Sequence, residues 1–522
     1  MLDSLKEECG VVAVYQMGND AEPRNVAPLA VRALLAMQNR GQLSAGLTTY
    51  NPHRNRILQT HKDLGSVQEV FALNNPHKSR RLMEEYGGIA AIGHNRYATS
   101  GNTDPSLAQP FERMHGRMWK WFAIGFNGNL ANYDALQAKL EDSGYHITYH
   151  TDTEVMMHYI NRELRGDEQP DYRQMCANLA RNFDGAYNIT FLNATGELLC
   201  MRDPLGIKPL CYAVQDNMLV VASESVVMSQ MGIEDVHTLE PGEVLIADRA
   251  GYRVERYWPE QPSAYCYFEW VYFSNLASNL EGRSVYKVRH AIGREMAEME
   301  PLADRDDMLV VAVPETASAI ANSFAYHLGL PAMEGLLRNR YVGRTFIDGV
   351  TREDTLRMKF TPLREILEGK RIFLVDDTLV RGNTLATVIS DLRERGHAKE
   401  IHVRIGCPPI MGPCFYGIDM PTVKELFAPA FTGGRAPQDA VSDEVLGKMT
   451  HALGADSLSY LSMSRLQRAL GIPGNELCMA CIDNRYPTPV GNERYREALH
   501  DAGFKAADDT GEPHPLRKAV SG

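Results

Sequence analysis

The stretch that most restricts the fold of this chain runs from residue 371 to residue 395. An apolar run, 371–375, ends on two adjacent carboxylates, Asp376 and Asp377. A loop carrying Thr378, Arg381, Gly382, Asn383 and Thr384 then leads into an amphipathic stretch, 385–395. Short apolar runs bounded by turn residues read as buried strands, and apolar residues at three- and four-residue steps read as helices. Two further runs, 308–313 before Pro314 and 401–405, flank this unit, with a helical stretch at 317–327. Strands alternating with helices predict a parallel sheet whose chemistry lies at the strands' carboxyl ends. Adjacent carboxylates at such an end are costly unless hydroxyls or a metal meet them. A loop of Gly and hydroxyl residues before a helix offers backbone N–H groups to a phosphate. Taken alone, the pair also fits an ordinary acidic turn.

The first half reads differently. Runs at 11–15, 89–93, 121–125, 188–192 and 218–222 are short and bounded by Gly, Asn, Asp or Ser, with helical stretches at 26–37 and 131–140. Many consecutive strands lack a helical crossover, so a layered α+β domain is expected over residues 9–258. The parallel α/β unit follows over 259–482, and the polar tail 483–522 is expected to be peripheral. Of the 522 residues, 44% are hydrophobic and 23% charged, as in ordinary globular proteins. Lys+Arg of 54 against Asp+Glu of 66 gives a net charge of −12. With no basic run to offset that balance, duplex nucleic acid is excluded as a partner. No apolar stretch reaches the roughly 18 residues of a membrane span, and residues 1–9 lack a secretory signal's apolar core. A cytoplasmic protein is expected. Nine cysteines, an odd number, point to thiol chemistry or metal ligation rather than a disulfide scaffold.

Cys9-Gly10 opens the first strand, and four motifs follow in order. They are Gln38-Asn39-Arg40-Gly41-Gln42, Gly93-His94-Asn95-Arg96, Asn127-Gly128-Asn129-Leu130 and Thr151-Asp152-Thr153-Glu154. In this order they resemble class II glutamine amidotransferase domains, whose nucleophile is an N-terminal cysteine. A free thiol near pKa 8.5 is mostly protonated at neutral pH, and an α-amine near 7.7–8.0 on the same residue is a built-in general base. That arrangement requires removal of residues 1–8, which are therefore expected to be a propeptide. The resemblance implies that the Asn127 side chain and the Gly128 N–H form the oxyanion hole. It places Arg96 on the α-carboxylate of glutamine, Asp152 on its α-ammonium, and Gly41 in the same binding site. Asn39, Leu43 and Phe126 depart from the family's usual residues, which bears on glutamine-site tuning and not on the reaction class.

The string from Val375 to Thr384 resembles the diphosphate-sugar signature of type I phosphoribosyltransferases. By that resemblance Asp376 and Asp377 meet the ribose hydroxyls and Mg²⁺, and Thr378, Arg381, Gly382, Asn383 and Thr384 cradle the 5-phosphate. Asn383 replaces a more common Thr. Val313-Pro314-Glu315-Thr316-Ala317 resembles the pyrophosphate loop, with Glu315 on the substrate and Thr316 beside the Mg²⁺. The segment from Arg338 to Ile347 resembles the loop that closes over phosphoribosyl pyrophosphate, with Arg340 and Arg344 toward the leaving group.

Together the halves resemble the glutamine phosphoribosylpyrophosphate amidotransferase (amidophosphoribosyltransferase) family over nearly the whole chain. Phe273-Ser274-Asn275-Leu276-Ala277-Ser278 departs from the usual Arg-Pro-Asp before the final Ser. This bears on an ammonia channel or a domain interface. Cys478-Met479-Ala480-Cys481 is shared by redox dithiols and zinc sites, and spacing does not separate zinc from an iron–sulfur cluster. The branch of the family with a propeptide holds a [4Fe–4S] cluster, which implies Cys266, Cys414, Cys478 and Cys481 as ligands in a structural role. Cys407 is the rival to Cys414; Cys176, Cys200 and Cys211 read as core. The family further implies purine nucleotides as feedback inhibitors, a homotetramer or homodimer, and the first step of purine (IMP) synthesis. Two other readings share these motifs: a diverged amidotransferase with altered coupling, and a non-catalytic phosphoribosyl or nucleotide sensor.

Overall fold

The computed structural model describes residues 9–18, 24–96, 104–302, 306–339 and 358–504. The strand Gly10–Gln16 is buried on both faces, and its residues divide by parity. Val12 and Val14 face the helix Ala27–Ala36 through Ala30, Val31 and Leu34. Val11, Ala13 and Tyr15 face the other way, against Ala123, Leu192, Cys200 and Leu245. Alternation at period two thus places one short apolar run between two layers.

The strand lies in a seven-stranded antiparallel sheet, between Met218–Ala222 on one side and Ala90–Arg96 on the other, with Ser44–Tyr50 beyond. A six-stranded antiparallel sheet lies across the shared core, with Phe122–Leu130 paired to Gly185–Asn193. On its outer face Phe122, Ile124 and Phe191 pack with Val155, Met156 and Leu179 of the helices Asp152–Glu163 and Tyr172–Asn182. The result is the expected layered α+β domain, helix on sheet on sheet on helix.

The second half contains a parallel sheet ordered Met308–Ala312, Arg371–Asp376, Glu400–Ile405 and Ser457–Tyr460. The helix Ser318–Leu328 follows the first strand, and Asn383–Glu394 follows the second. Phe324 meets the Phe373 ring edge-on at 5.3 Å. Asp376 therefore falls at a strand's carboxyl end, as the sequence pattern required.

The tail corrects one expectation. Residues 483–504 are not peripheral: the helix Pro489–Asp501 buries Gly491, Tyr495 and Leu499 at four-residue steps. A Cβ on Gly491 would come within 2.1 Å of the Tyr416 hydroxyl, so only Gly lets the helix approach so closely. Thr488 caps the helix by accepting from the Gly491 N–H at 3.1 Å. The polar residues that suggested a loose tail occupy its outer face. Residues 505–522 and the expected propeptide 1–8 lie outside the described residues.

Candidate functional site

Strand register assembles the first site. Gly10 sits opposite Asn95, so Cys9 emerges beside Arg96 at the end of the neighbouring strand. Gly41 passes so close to Arg96 that a Cβ would lie 2.6 Å from its carbonyl carbon, which is why Gly is needed there. Arg96 is 9% exposed, and its Nη1 has no hydrogen-bond partner among the described residues. Gly128 adopts φ +139, and a Cβ there would strike the Ala186 carbonyl at 2.0 Å. Asp152 opens a helix whose N-cap, Thr151, accepts from the Glu154 N–H at 3.2 Å.

Cys9, Arg96, Gly128 and Asp152 line one cavity of about 280 Å³. Burial pushes the Asp152 carboxyl up to about 6, against the opposing pull of the Thr153 N–H and Arg96. Asn127 stands behind the wall: it is 1% exposed, and its amide donates to Ser223 Oγ at 3.3 Å. His94 is held neutral by burial, its acidity shifted to about 3, and its Nε2 lies 2.8 Å from the Phe126 carbonyl. Phe126 is 2% exposed and packs in the core, where the family's usual polar side chain is replaced by a ring. Leu43 contributes its backbone, donating N–H to the Arg96 carbonyl at 3.1 Å.

Several residues at this site carry no motif signal. Gln109 accepts from the Phe126 N–H at 2.7 Å and donates to Thr153 Oγ1 at 3.1 Å, tying two walls together. Phe415 and Arg494 come from the second half of the chain and line the same cavity. The Asn129 amide donates to the Phe415 carbonyl at 2.9 Å. Behind Cys9, Arg40 is fully buried between Glu224 and Glu269 and reaches the Cys9 carbonyl at 3.5 Å. Arg40 belongs to the 38–42 motif, but its partner carboxylates stand 184 and 229 residues away, where no sequence pattern points to them.

Two departures from the family pattern meet on this network. Asn39 donates to Glu224 at 2.9 Å and to the Phe273 carbonyl at 3.2 Å. Glu224 also accepts from the Asn275 N–H at 2.8 Å and from Ser278 at 2.7 Å. The segment 273–278 is therefore fixed through one buried carboxylate of the first domain. Arg289, donating to the Trp270, Tyr272 and Ser274 carbonyls, holds the same segment from the other side and exerts an electrostatic pull on Asp377.

The second site follows from the strand end. Asp376 Oδ1 accepts from the Asp377 N–H at 2.9 Å, and Asp377 Oδ1 from the Thr378 hydroxyl at 2.9 Å. Burial, then the neighbouring Asp377, raises the Asp376 carboxyl well above the usual range. Burial raises Asp377 too, opposed by a hydrogen bond from Thr316, which brings the expected pyrophosphate loop to the acidic pair. Asp377 Oδ2 is buried without a hydrogen-bond partner among the described residues. Gly382 takes φ +84 against the Phe427 ring and caps the helix beginning at Asn383 and Thr384. Arg381 pairs with Glu425 at 3.2 Å, and Glu315 is exposed. Arg340 and Arg344 lie outside the described residues.

Among the described residues no three His, Cys, Asp or Glu side chains gather closely enough to hold a single metal ion. A Mg²⁺ at the acidic pair is consistent with this, because Mg²⁺ is commonly bound by one or two carboxylates completed by substrate phosphates and water. The orphaned Asp377 Oδ2 and the Thr316 hydroxyl are oxygen donors of the right kind. The four candidate cysteines come from three segments of the second half. Cys266 and Cys478 are opposite each other in a two-stranded parallel sheet, and Cys481 follows after one turn. Burial raises Cys478 and Cys481 well above the usual thiol range; Cys414 raises both further, and Cys266 adds to the rise at Cys481. Cys266, Cys478 and Cys481 are buried and Cys414 is half-buried, and thiol sulfur is the donor type an iron–sulfur cluster takes. Cys407 is influenced by Cys481, but also by Asp377 and Asp376, and its sulfur donates to the Pro408 carbonyl at 3.2 Å. Cys176, Cys200 and Cys211 are buried core residues.

A thiol-lined amide pocket in a double-sheet domain, joined to an acidic strand end above a phosphate-type loop, defines a glutamine amidotransferase combined with a phosphoribosyltransferase. Comparison with known proteins agrees, matching a glutamine amidotransferase domain over residues 94–230 and a phosphoribosyl transferase domain over 280–407. The amidophosphoribosyltransferase of Methanothermobacter thermautotrophicus is 39% identical over 94% of this chain and 96% of its own length. The solved glutamine phosphoribosylpyrophosphate amidotransferase of B. subtilis, complexed with ADP and GMP, superposes with a TM-score of 0.79 at 32% identity, covering 92% of this chain and 98% of that one. A solved structure described as the allosteric regulatory enzyme of purine biosynthesis gives 0.80 at 32% identity, covering 96% and 99%. The chain belongs to the amidophosphoribosyltransferase family. Among the described residues no helix is long and apolar enough to cross a membrane.

Proposed function

We propose that the chain releases ammonia from glutamine at Cys9 and adds it to C1 of phosphoribosyl pyrophosphate at the Asp376–Asp377 site. Glutamine, phosphoribosyl pyrophosphate and water give 5-phosphoribosylamine, glutamate and pyrophosphate, the first step of de novo purine synthesis. The observation that carries this reading is the convergence of Cys9, Arg96, Gly128 and Asp152, from four separate segments, on one cavity. With residues 1–8 removed, the Cys9 α-amine takes the thiol proton as sulfur attacks the amide carbonyl. Gly128 lines the cavity and its N–H is the first oxyanion donor, and the Asn127 amide, which also donates to Ser223 Oγ, is the second. Arg96 grips the α-carboxylate and Asp152 the α-ammonium. Ammonia leaves, and water releases glutamate from the thioester.

At the second site Asp376 and Asp377 orient the ribose hydroxyls. The 378–384 loop, with the N–H groups of the following helix, holds the 5-phosphate. Arg340 and Arg344 meet the pyrophosphate with Glu315. Asp376, Asp377 and Thr316 would hold a Mg²⁺ ion, which would supply charge neutralisation for the leaving pyrophosphate. Cys266, Cys414, Cys478 and Cys481 would hold a [4Fe–4S] cluster in a structural role, since no step transfers electrons. Cytoplasmic location, a homotetramer or homodimer, and inhibition by purine nucleotides complete the reading. A structural relative complexed with ADP and GMP supports the last of these.

The test is glutamine-dependent pyrophosphate release, measured beside glutaminase activity with and without phosphoribosyl pyrophosphate, and N-terminal mass. The reading expects coupled turnover and a mature chain beginning at Cys9. Glutaminase unaffected by phosphoribosyl pyrophosphate, or an active chain retaining Met1, contradicts it.

A further inference from the structure

Among the described residues, the cavity at Cys9 is lined by both halves of the chain. Its lining includes Asp134, Phe415 and Arg494, and the last two belong to the second half of the chain. Arg494 projects from the helix Pro489–Asp501 and forms an ion pair with Asp134. This is the outer of two charge couples in one cavity, Arg96 with Asp152 being the inner. The pair is partly exposed, 32% at Arg494 and 72% at Asp134, so it contributes little to folding.

Other contacts fix the helix. The Gly491, Tyr495 and Leu499 stripe is buried, Tyr495 lies 5.2 Å from the Tyr486 ring, and the Val490 N–H donates to Asp184 of the first domain at 3.3 Å. Arg494 is thus delivered to the cavity by a helix that stays in place without it.

We infer that Arg494 and Asp134 are positioning residues that close the glutamine cavity. This deepens, and rests on, the assignment of that cavity to glutamine. Glutamine brings one positive and one negative group, which the inner couple accepts. An outer couple already neutralised within itself covers the mouth without competing for either group. Closure keeps bulk water away from the sulfur and retains the substrate while its amide reacts. The pocket of one domain is completed by a helix that follows the other, so glutamine retention depends on how the two halves are docked.

The test measures KM and kcat for glutamine in Arg494→Ala, Asp134→Ala and the charge-exchanged double variant R494D/D134R. Each single variant is expected to raise KM about tenfold, the effect of about 1.4 kcal/mol, with kcat changed less than about threefold. The double variant is expected to return KM to within about threefold of the parent. Single variants with KM within about twofold of the parent, or a double variant no better than the singles, would overturn the inference. Cys9→Ala separates this from the underlying assignment. If it loses glutamine-dependent turnover while Arg494→Ala keeps its KM, only the closing pair fails. If Cys9→Ala retains that turnover, the glutamine assignment itself fails.

Discussion

At the scale of single residues, the glutamine cavity depends on charges held where water is scarce. Asp152 is pushed up to about 6 by burial and must be ionised to hold an ammonium. The sign follows: kcat/KM for glutamine, already falling as the Cys9 α-amine protonates below about 8, falls more steeply as pH drops through about 6, because the protonated carboxyl no longer attracts the substrate's amine. Asp152→Asn is expected to lower kcat/KM by about a hundredfold or more, the effect of removing one partner from a buried charge pair, and to abolish that steeper acid limb. A pH–rate profile of both proteins checks it. The two carboxylates of the second site predict a chelation effect. Stripping divalent cations is expected to stop pyrophosphate release, and Mg²⁺ to restore it, as measured by a pyrophosphate assay.

Individual positions were legible where a motif kept its residues contiguous: Asp376 ends the strand Arg371–Asp376 and Gly382 precedes the helix Asn383–Glu394. They were not legible where partners lie far apart in sequence. Nothing in the sequence pairs Arg40 with Glu224 and Glu269, or directs the Asn127 amide to Ser223.

At the scale of elements, the strands were legible because burial on both faces leaves little choice of residue. The run predicted at 218–222 is the strand Met218–Ala222, and 401–405 lies within Glu400–Ile405. The last helix was missed because only Gly491, Tyr495 and Leu499 of its 13 residues are buried, which leaves a mostly polar sequence. Segment 414–417 belongs to the same lesson. Gly417, at φ +111, lies against Gly128, and a Cβ there would sit 3.0 Å from the Gly128 carbonyl carbon. Gly417→Ala therefore presses a second-domain loop onto the expected oxyanion N–H. It is expected to destabilise the fold by about 1–3 kcal/mol through backbone strain. It is also expected to lower glutaminase kcat by about tenfold, as a weakened oxyanion contact would. Thermal unfolding and steady-state kinetics check the two effects separately.

At the scale of the whole molecule, two ordinary architectures are joined so that each site touches the junction. The segment 273–278 is gripped by Glu224 from the first domain and by Arg289, which also influences Asp377. Its unusual residues are accommodated by backbone and hydroxyl donors where a charge pair is expected. The candidate cysteines belong to the second half, where Tyr267 meets Cys481 at 3.5 Å and the Tyr416 N–H meets Cys414 at 3.3 Å. Cys481→Ser is expected to lower iron content and the midpoint of thermal unfolding together, read by metal analysis and calorimetry.

The central claim is that nitrogen passes from one site to the other without mixing with solvent. Turnover of glutamine labelled with ¹⁵N at the amide, in excess unlabelled ammonium, tests it when the phosphoribosylamine is trapped as it forms. The account predicts a product that keeps nearly all of the label. A product whose nitrogen matches the ammonium pool would contradict it.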